Sequence, residues 1–194
     1  TGVKALVVAC NTATSVAVKE MRERYAFPVI GMEPAVKPAV KHTGAGKRVL
    51  VLATELTLKE AKFRDLVSAV DPGHIVDSLP MPELVELAEN LTFDDSVVLP
   101  CLKRKFASLD LASYGTVVLG CTHFTFFCSN LRKVLAPETD IIDGAAGTLR
   151  RLVNKLEETQ YSNGGGTGDI LFCSSAGIED VARLRRAFQI AKCL

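Results

Sequence analysis

The chain has 194 residues, 48% of them hydrophobic and 23% charged, with 23 Lys plus Arg against 22 Asp plus Glu and a formal net charge of +1. That length is ample to bury a core, as one large domain or two small ones, and the even charge balance gives no reason to expect nucleic acid or an anionic membrane as a partner. No apolar stretch approaches the roughly 20 residues that cross a bilayer, and the first one runs into "CNTAT" rather than a cleavage-type junction, so no signal peptide is visible.

Residues 4–9, "KALVVA", form a continuous apolar run, the pattern of a strand covered on both faces. Helical spacing follows over 12–25, with Val16, Ala17 and Met21 among the apolar positions. "FPVIG" reads as a second short strand, and "EPAVKPAV" opens a helix with Pro34 in its first turn. "GAGK" is a turn before the strand "RVLVLAT" at 48–54. Thr57 and Glu60 have capping-box spacing ahead of the helical "LKEAKFRDLVSAV". "HIVDS" then reads as a strand and "MPELVELAEN" as a helix starting near Pro82.

"DDSVVLPCLKRKFASL" is helical with an interruption expected near Pro100, and its basic run at 102–106 belongs on a solvated face. "GTVVLG" is a buried strand, followed by a helix from about 124 to 135, a strand at 139–143 and a helix to about 158. "NGGGTG" is a loop, "DILFCSS" a last strand, and the tail from Ile178 a helix. "GAGKR" lacks the glycine spacing of a phosphate-binding loop, and "NGGGTG" precedes a strand instead of following one, so neither suits a nucleotide. Strands alternating with helices predict parallel βαβ units and an α/β fold.

In open α/β sheets, ligands bind beyond the carboxyl ends of the strands. Cys10, Thr54 and Cys121 all stand at that position. A cysteine between a strand end and a helix start meets backbone N–H groups and the positive end of the helix dipole, which favour the reactive thiolate. The other four cysteines, Cys101, Cys128, Cys173 and Cys193, lie in apolar or terminal contexts and read as reduced, cytosolic fillers. Three chemistries suit the pair. These are a disulfide, a metal site with His123, and a two-base proton transfer in which one group takes a proton from one face of a carbon while the other delivers to the opposite face. The cytosolic character opposes the first, and ordinary zinc spacing is missing for the second. Two like groups suit the third, because forward and reverse steps then need similar pKa values.

"VVACNTAT", "VIGMEPAVKPA" and "VVLGCTHF", in that order, resemble the aspartate/glutamate racemase family, and within it the glutamate racemases. The similarity runs over essentially the whole chain and includes "DIIDGAAGT". The resemblance implies Cys10 and Cys121 as the catalytic thiols, the first acting on the D-enantiomer and the second on the L-enantiomer. It implies substrate contacts from Asn11, Thr12, Thr54, Thr57, Thr122 and His123, with Glu33 behind the site. It further implies two similar parallel-sheet α/β domains enclosing glutamate, one built from 1–33 and 144–194, the other from 34–143. No cofactor or metal is expected, and the D-glutamate product would serve peptidoglycan synthesis in the bacterial cytoplasm.

Family members also carry an upstream strand with an Asp-Ser turn and a Pro-Tyr-Gly segment, neither of which is found here, and Thr125 stands where proline is common. On that basis the first domain is expected to be incomplete, with weak or no activity and with exposed edges inviting association, as in a homodimer. Aspartate racemisation, and a noncatalytic relative acting as a binding module, are the alternatives.

Overall fold

The computed structural model describes residues 2–159 and 166–192. Its strands are β1 (Leu6–Val8), β2 (Val29–Gly31), β3 (Arg48–Ala53), β4 (Val76–Pro80), β5 (Tyr114–Leu119) and β6 (Asp140–Asp143). The helices are α1 (Asn11–Arg24), α2 (Val36–His42), α3 (Glu55–Lys59), α4 (Ala61–Val70), α5 (Pro82–Glu89), α6 (Asp95–Phe106), α7 (Cys128–Arg132), α8 (Ala145–Glu158) and α9 (Ile178–Ala191). Among the described residues the strands make two sheets, β1-β2 and β4-β3-β5-β6, and every pairing in both is parallel. The expected α/β class is what forms.

The four-stranded sheet explains its own sequence. Leu50, Leu52, Val117 and Leu119 face one layer, where they pack with Leu84, Leu102, Phe106, Phe124 and Phe127. Val49, Val51 and Val118 face the other, against Val36, Ala39 and Phe63. Central strands covered on both sides bury successive residues, so the period-two alternation of side chains is apolar at every position. In the smaller sheet, Thr14 of α1 donates to the Val8 carbonyl and accepts from the Met32 N–H, locking helix to both strands.

Several expectations need correction. The helix cap is Thr54, whose hydroxyl accepts the Thr57 N–H, so Thr57 lies inside α3 and a break at Glu60 separates α3 from α4. Pro100 does not interrupt α6, which runs on through Phe106. Its missing N–H orphans only the carbonyl of Ser96, exposed in the first turn where water reaches it. In place of one helix over 124–135 the chain makes a 3-10 segment, Thr122–Phe127, before α7. Three residues per turn align Phe124 with Phe127, and both bury completely. No strand forms at 169–175, where Leu171 is 84% exposed; among the described residues the segment pairs with neither sheet. Residues 163–165 of the "NGGGTG" loop, and Cys193, lie outside the described residues. The basic run behaves as expected, with Leu102 and Phe106 inward, Lys103 and Arg104 outward and Lys105 paired to Glu83.

Two features hold the frame. Arg48 of β3 grips both oxygens of Asp77 on β4 at 2.7 Å, and the Tyr114 hydroxyl of β5 donates to the same carboxylate at 2.8 Å. Burial and that hydrogen bond push Tyr114 up to about 12, while the Arg48 guanidinium holds Asp77 below the usual carboxylate range. Second, the chain leaves the small sheet just after β2 and returns just after β6, and the two crossings touch. A Cβ on Gly144 would stand 2.6 Å from the Glu33 carbonyl oxygen.

Replacing Gly144 by alanine is therefore expected to cost about 1–3 kcal/mol in urea unfolding, since two backbone segments must separate to admit a methyl group. Asp77→Asn is expected to lower the melting temperature by roughly 2–4 °C at pH 7. Because Asp77 is depressed in the folded state, its contribution is present above the ordinary carboxylate range and lost as the pH falls through its folded value. The gap between variant and parent in thermal scans should thus close in acid.

Candidate active site

Parallel pairing carries the ends of β1, β3 and β5 to the same edges of their sheets, and the groups picked from the sequence collect there. Cys10 caps α1, its sulfur accepting the Ala13 N–H at 3.4 Å, and the residue is exposed. Asn11 follows, 3% exposed, with its Oδ1 fully buried and without a hydrogen-bond partner. Thr12 reaches across to the end of β3, its hydroxyl 2.8 Å from that of Thr57 and 3.2 Å from that of Thr54. With Thr54 and Thr57 themselves 3.0 Å apart, three hydroxyls form a closed triangle spanning the two sheets.

Cys121 comes off β5. Gly120 before it donates to the Leu52 carbonyl at 2.7 Å, and a Cβ there would stand 2.9 Å from that oxygen, so glycine is what lets the turn lie against β3. The Cys121 thiol is buried, 3.5 Å from His123 Nδ1. Burial pushes its pKa up; the His123 backbone N–H and the Thr122 side chain oppose this, and charge on Cys10 pushes it further up. The Cys10 sulfur is thus near enough for its charge to bear on Cys121.

His123 Nε2 lies 2.6 Å from Glu89 Oε1, and Arg183 of α9 holds Oε2 of the same carboxylate, also at 2.6 Å. With Nε2 on Glu89, Nδ1 is the ring atom that faces the Cys121 sulfur. Neither Glu89 nor Arg183 was identified from the sequence. They stand 34 and 60 residues from His123, at a helix end and in a tail, and no local spacing marks either one.

Glu33 pairs with Lys62 of α4 at 2.6 Å and shares with Thr57 and Ser15 the lining of a cavity of about 140 Å3. It stands on the threonine side of the site, and its carboxylate bonds to no cysteine. Of the remaining thiols described, Cys101 is buried, Cys128 partly so and Cys173 exposed, the last contrary to a filler's place. A larger cavity of about 1010 Å3, bordered by Arg22, Lys41, Arg150, Arg151, Asp140 and Asp143, contains neither site thiol. Among the described residues no three His, Cys, Asp or Glu side chains are grouped to hold a metal ion, and no helix is long and apolar enough to cross a membrane.

Residues 1–152 match the family described as Asp/Glu/Hydantoin racemase. The chain is 52% identical over 192 residues to a glutamate racemase of Halothermothrix orenii, covering 98% of this chain and 75% of that one. It is 46% identical over 193 residues to glutamate racemase 2 of Bacillus subtilis, covering 97% and 72%. The fold is similar to the crystal structure of Escherichia coli glutamate racemase in complex with L-glutamate and the activator UDP-MurNAc-ala. The TM-score is 0.79 at 34% identity, over 96% of this chain and 71% of that one. Matching over most of its length, the chain belongs to the Asp/Glu/Hydantoin racemase family.

Proposed function

We propose that this chain interconverts L- and D-glutamate by proton transfer between Cys10 and Cys121, without a cofactor. The observation that carries the reading is the pair of thiols at the ends of β1 and β5, set beside the hydroxyls of Thr12, Thr54 and Thr57 and the ring of His123. In one direction the Cys10 thiolate removes the α-proton of D-glutamate. The electron pair left on carbon spreads into the α-carboxylate, and the Cys121 thiol protonates the opposite face. Cys10 ends as thiol and Cys121 as thiolate, and the L-to-D reaction runs the same steps backward. Two successive turnovers of the same enantiomer require the thiols to reset through solvent, for which exposed Cys10 is suited.

The other residues have matching parts. The Thr12, Thr54 and Thr57 hydroxyls can turn their protons from one another onto a carboxylate, and such preorganised donors stabilise the charge that develops on deprotonation. Asn11 Oδ1, an acceptor with no partner, suits the ammonium group. Thr122 and His123 tune Cys121, and Glu33 supports the threonine side. The same reading divides the chain into 1–33 with 144–194 and 34–143, sets the site between them, and makes the protein a cytoplasmic homodimer supplying D-glutamate for the cell wall.

Cys10→Ala and Cys121→Ala are each expected to lower glutamate racemisation by about 10²–10⁴-fold, the usual contribution of one acid-base group. Followed by NMR in deuterium oxide, the parent protein should label the α-carbon of both enantiomers. Each variant should label at most one, and a protein that only binds glutamate labels neither. If both variants still invert the centre at the parental rate, the assignment fails.

Iodoacetamide should reach exposed Cys10 first at neutral pH. Labelling of Cys121 should lag and then climb with pH past the range of an ordinary thiol, because burial keeps it protonated. Peptide mass spectrometry measures both rates in one sample.

A further inference from the structure

A line of polar contacts runs from Cys121 to the last helix. His123 Nδ1 is 3.5 Å from the sulfur and its Nε2 2.6 Å from Glu89 Oε1. Arg183 NH1 meets Glu89 Oε2 at 2.6 Å, while its NH2 and Nε reach Asp180 Oδ1 at 2.8 and 2.9 Å. Asp180 Oδ2 in turn accepts from Ser174 Oγ at 2.5 Å. Each Glu89 oxygen thus has one partner, and the guanidinium is itself held from below by Asp180.

Glu89 is the last residue of α5, and its side chain is 46% exposed. A long side chain so placed samples several rotamers, and one hydrogen bond to a partly exposed imidazole does little to restrain it. A second contact, from the NH1 of a guanidinium whose NH2 and Nε are themselves anchored on Asp180, removes that freedom. Arg183 belongs to α9, which the chain forms only after its return crossing at Gly144, whereas α5 packs into the core of the four-stranded sheet through Leu84 and Ala88. The contact therefore joins two parts of the molecule that the strand ladders leave unconnected.

We infer that Arg183 is a positioning residue for the second thiol: by holding one oxygen of Glu89 it keeps the other on His123, and thereby fixes the imidazole against Cys121. The inference rests on Cys121 being the second base of the racemase reading. Removing Arg183 takes away a nearby cation and also loosens the ring's hold against the sulfur. The side chains of His123, Glu89 and Arg183 are 30%, 46% and 35% exposed. Solvent and salt therefore screen the charge effect, and the orientation effect prevails.

The test measures alkylation of Cys121 by iodoacetamide with Cys10 as internal reference, at fixed pH and about 0.15 M salt, by peptide mass spectrometry. It needs no turnover, so a chain that fails to racemise glutamate still decides the matter. Arg183→Met is expected to slow Cys121 by about three- to tenfold, the change that one hydrogen bond of ordinary strength corresponds to. Cys10 should stay within about twofold, the range expected of a site that shares no partner with the substitution. Arg183→Lys should recover part of the rate, and Arg183→Met should add nothing in a Glu89→Gln background.

A faster or unchanged Cys121, equal slowing of both thiols, or additive effects in the double variant would overturn the inference. Melting curves establish that each variant is folded. If Arg183→Met is not, Asp180→Asn, which frees the guanidinium from its anchor, is expected to slow Cys121 selectively by about two- to threefold. No selective change there overturns the proposal as well.

Discussion

Parallel strand pairing is the constraint on which the rest of this molecule depends. In a parallel sheet every strand delivers its carboxyl end to the same edge, and the chain must travel back along a helix before it can add another. Residues just after β3 and β5 are therefore neighbours although more than 60 positions separate them, and the small sheet adds the residues after β1 from the other side. The register of β3 with β5, from Val49 opposite Thr116 to Leu52 opposite Leu119, sets the depth at which Thr54 and Cys121 emerge. The apolar cores on both faces of β3 and β5 serve this purpose, since they hold the edge rigid while its loops carry the chemistry.

The two thiols occupy unequal surroundings. Cys10 is open to solvent at the first turn of a long helix, while Cys121 is buried and served by an imidazole with a carboxylate behind it. A reaction whose two directions mirror each other does not need identical environments for its bases. It needs each thiol to be reachable as thiolate when the other is thiol. Charge on Cys10 adds to the burial that keeps Cys121 protonated, and the His123 backbone N–H and the Thr122 side chain work against both.

Much of this was legible in the sequence, and the failures have physical causes. Buried parallel strands announce themselves as unbroken apolar runs, so β3, β5 and both strand-end cysteines were located to within a residue or so. Segment 169–175 has a similar β-rich composition yet makes no strand, because pairing is a long-range contact that local composition does not report. Pro100 looked like a breaker, but in an exposed first turn its missing bond costs little. The site residues that were found lie beside their strands. Glu89 and Arg183 were missed because they reach the site from a helix end and from the tail, where only the folded arrangement gives them a partner.

The contact between the Glu33 carbonyl and Gly144 has a further mechanical meaning. With no room for a methyl group between them, the two passes of the chain cannot slide or twist past each other independently, so a displacement of the stretch after β2 carries the start of α8 along with it.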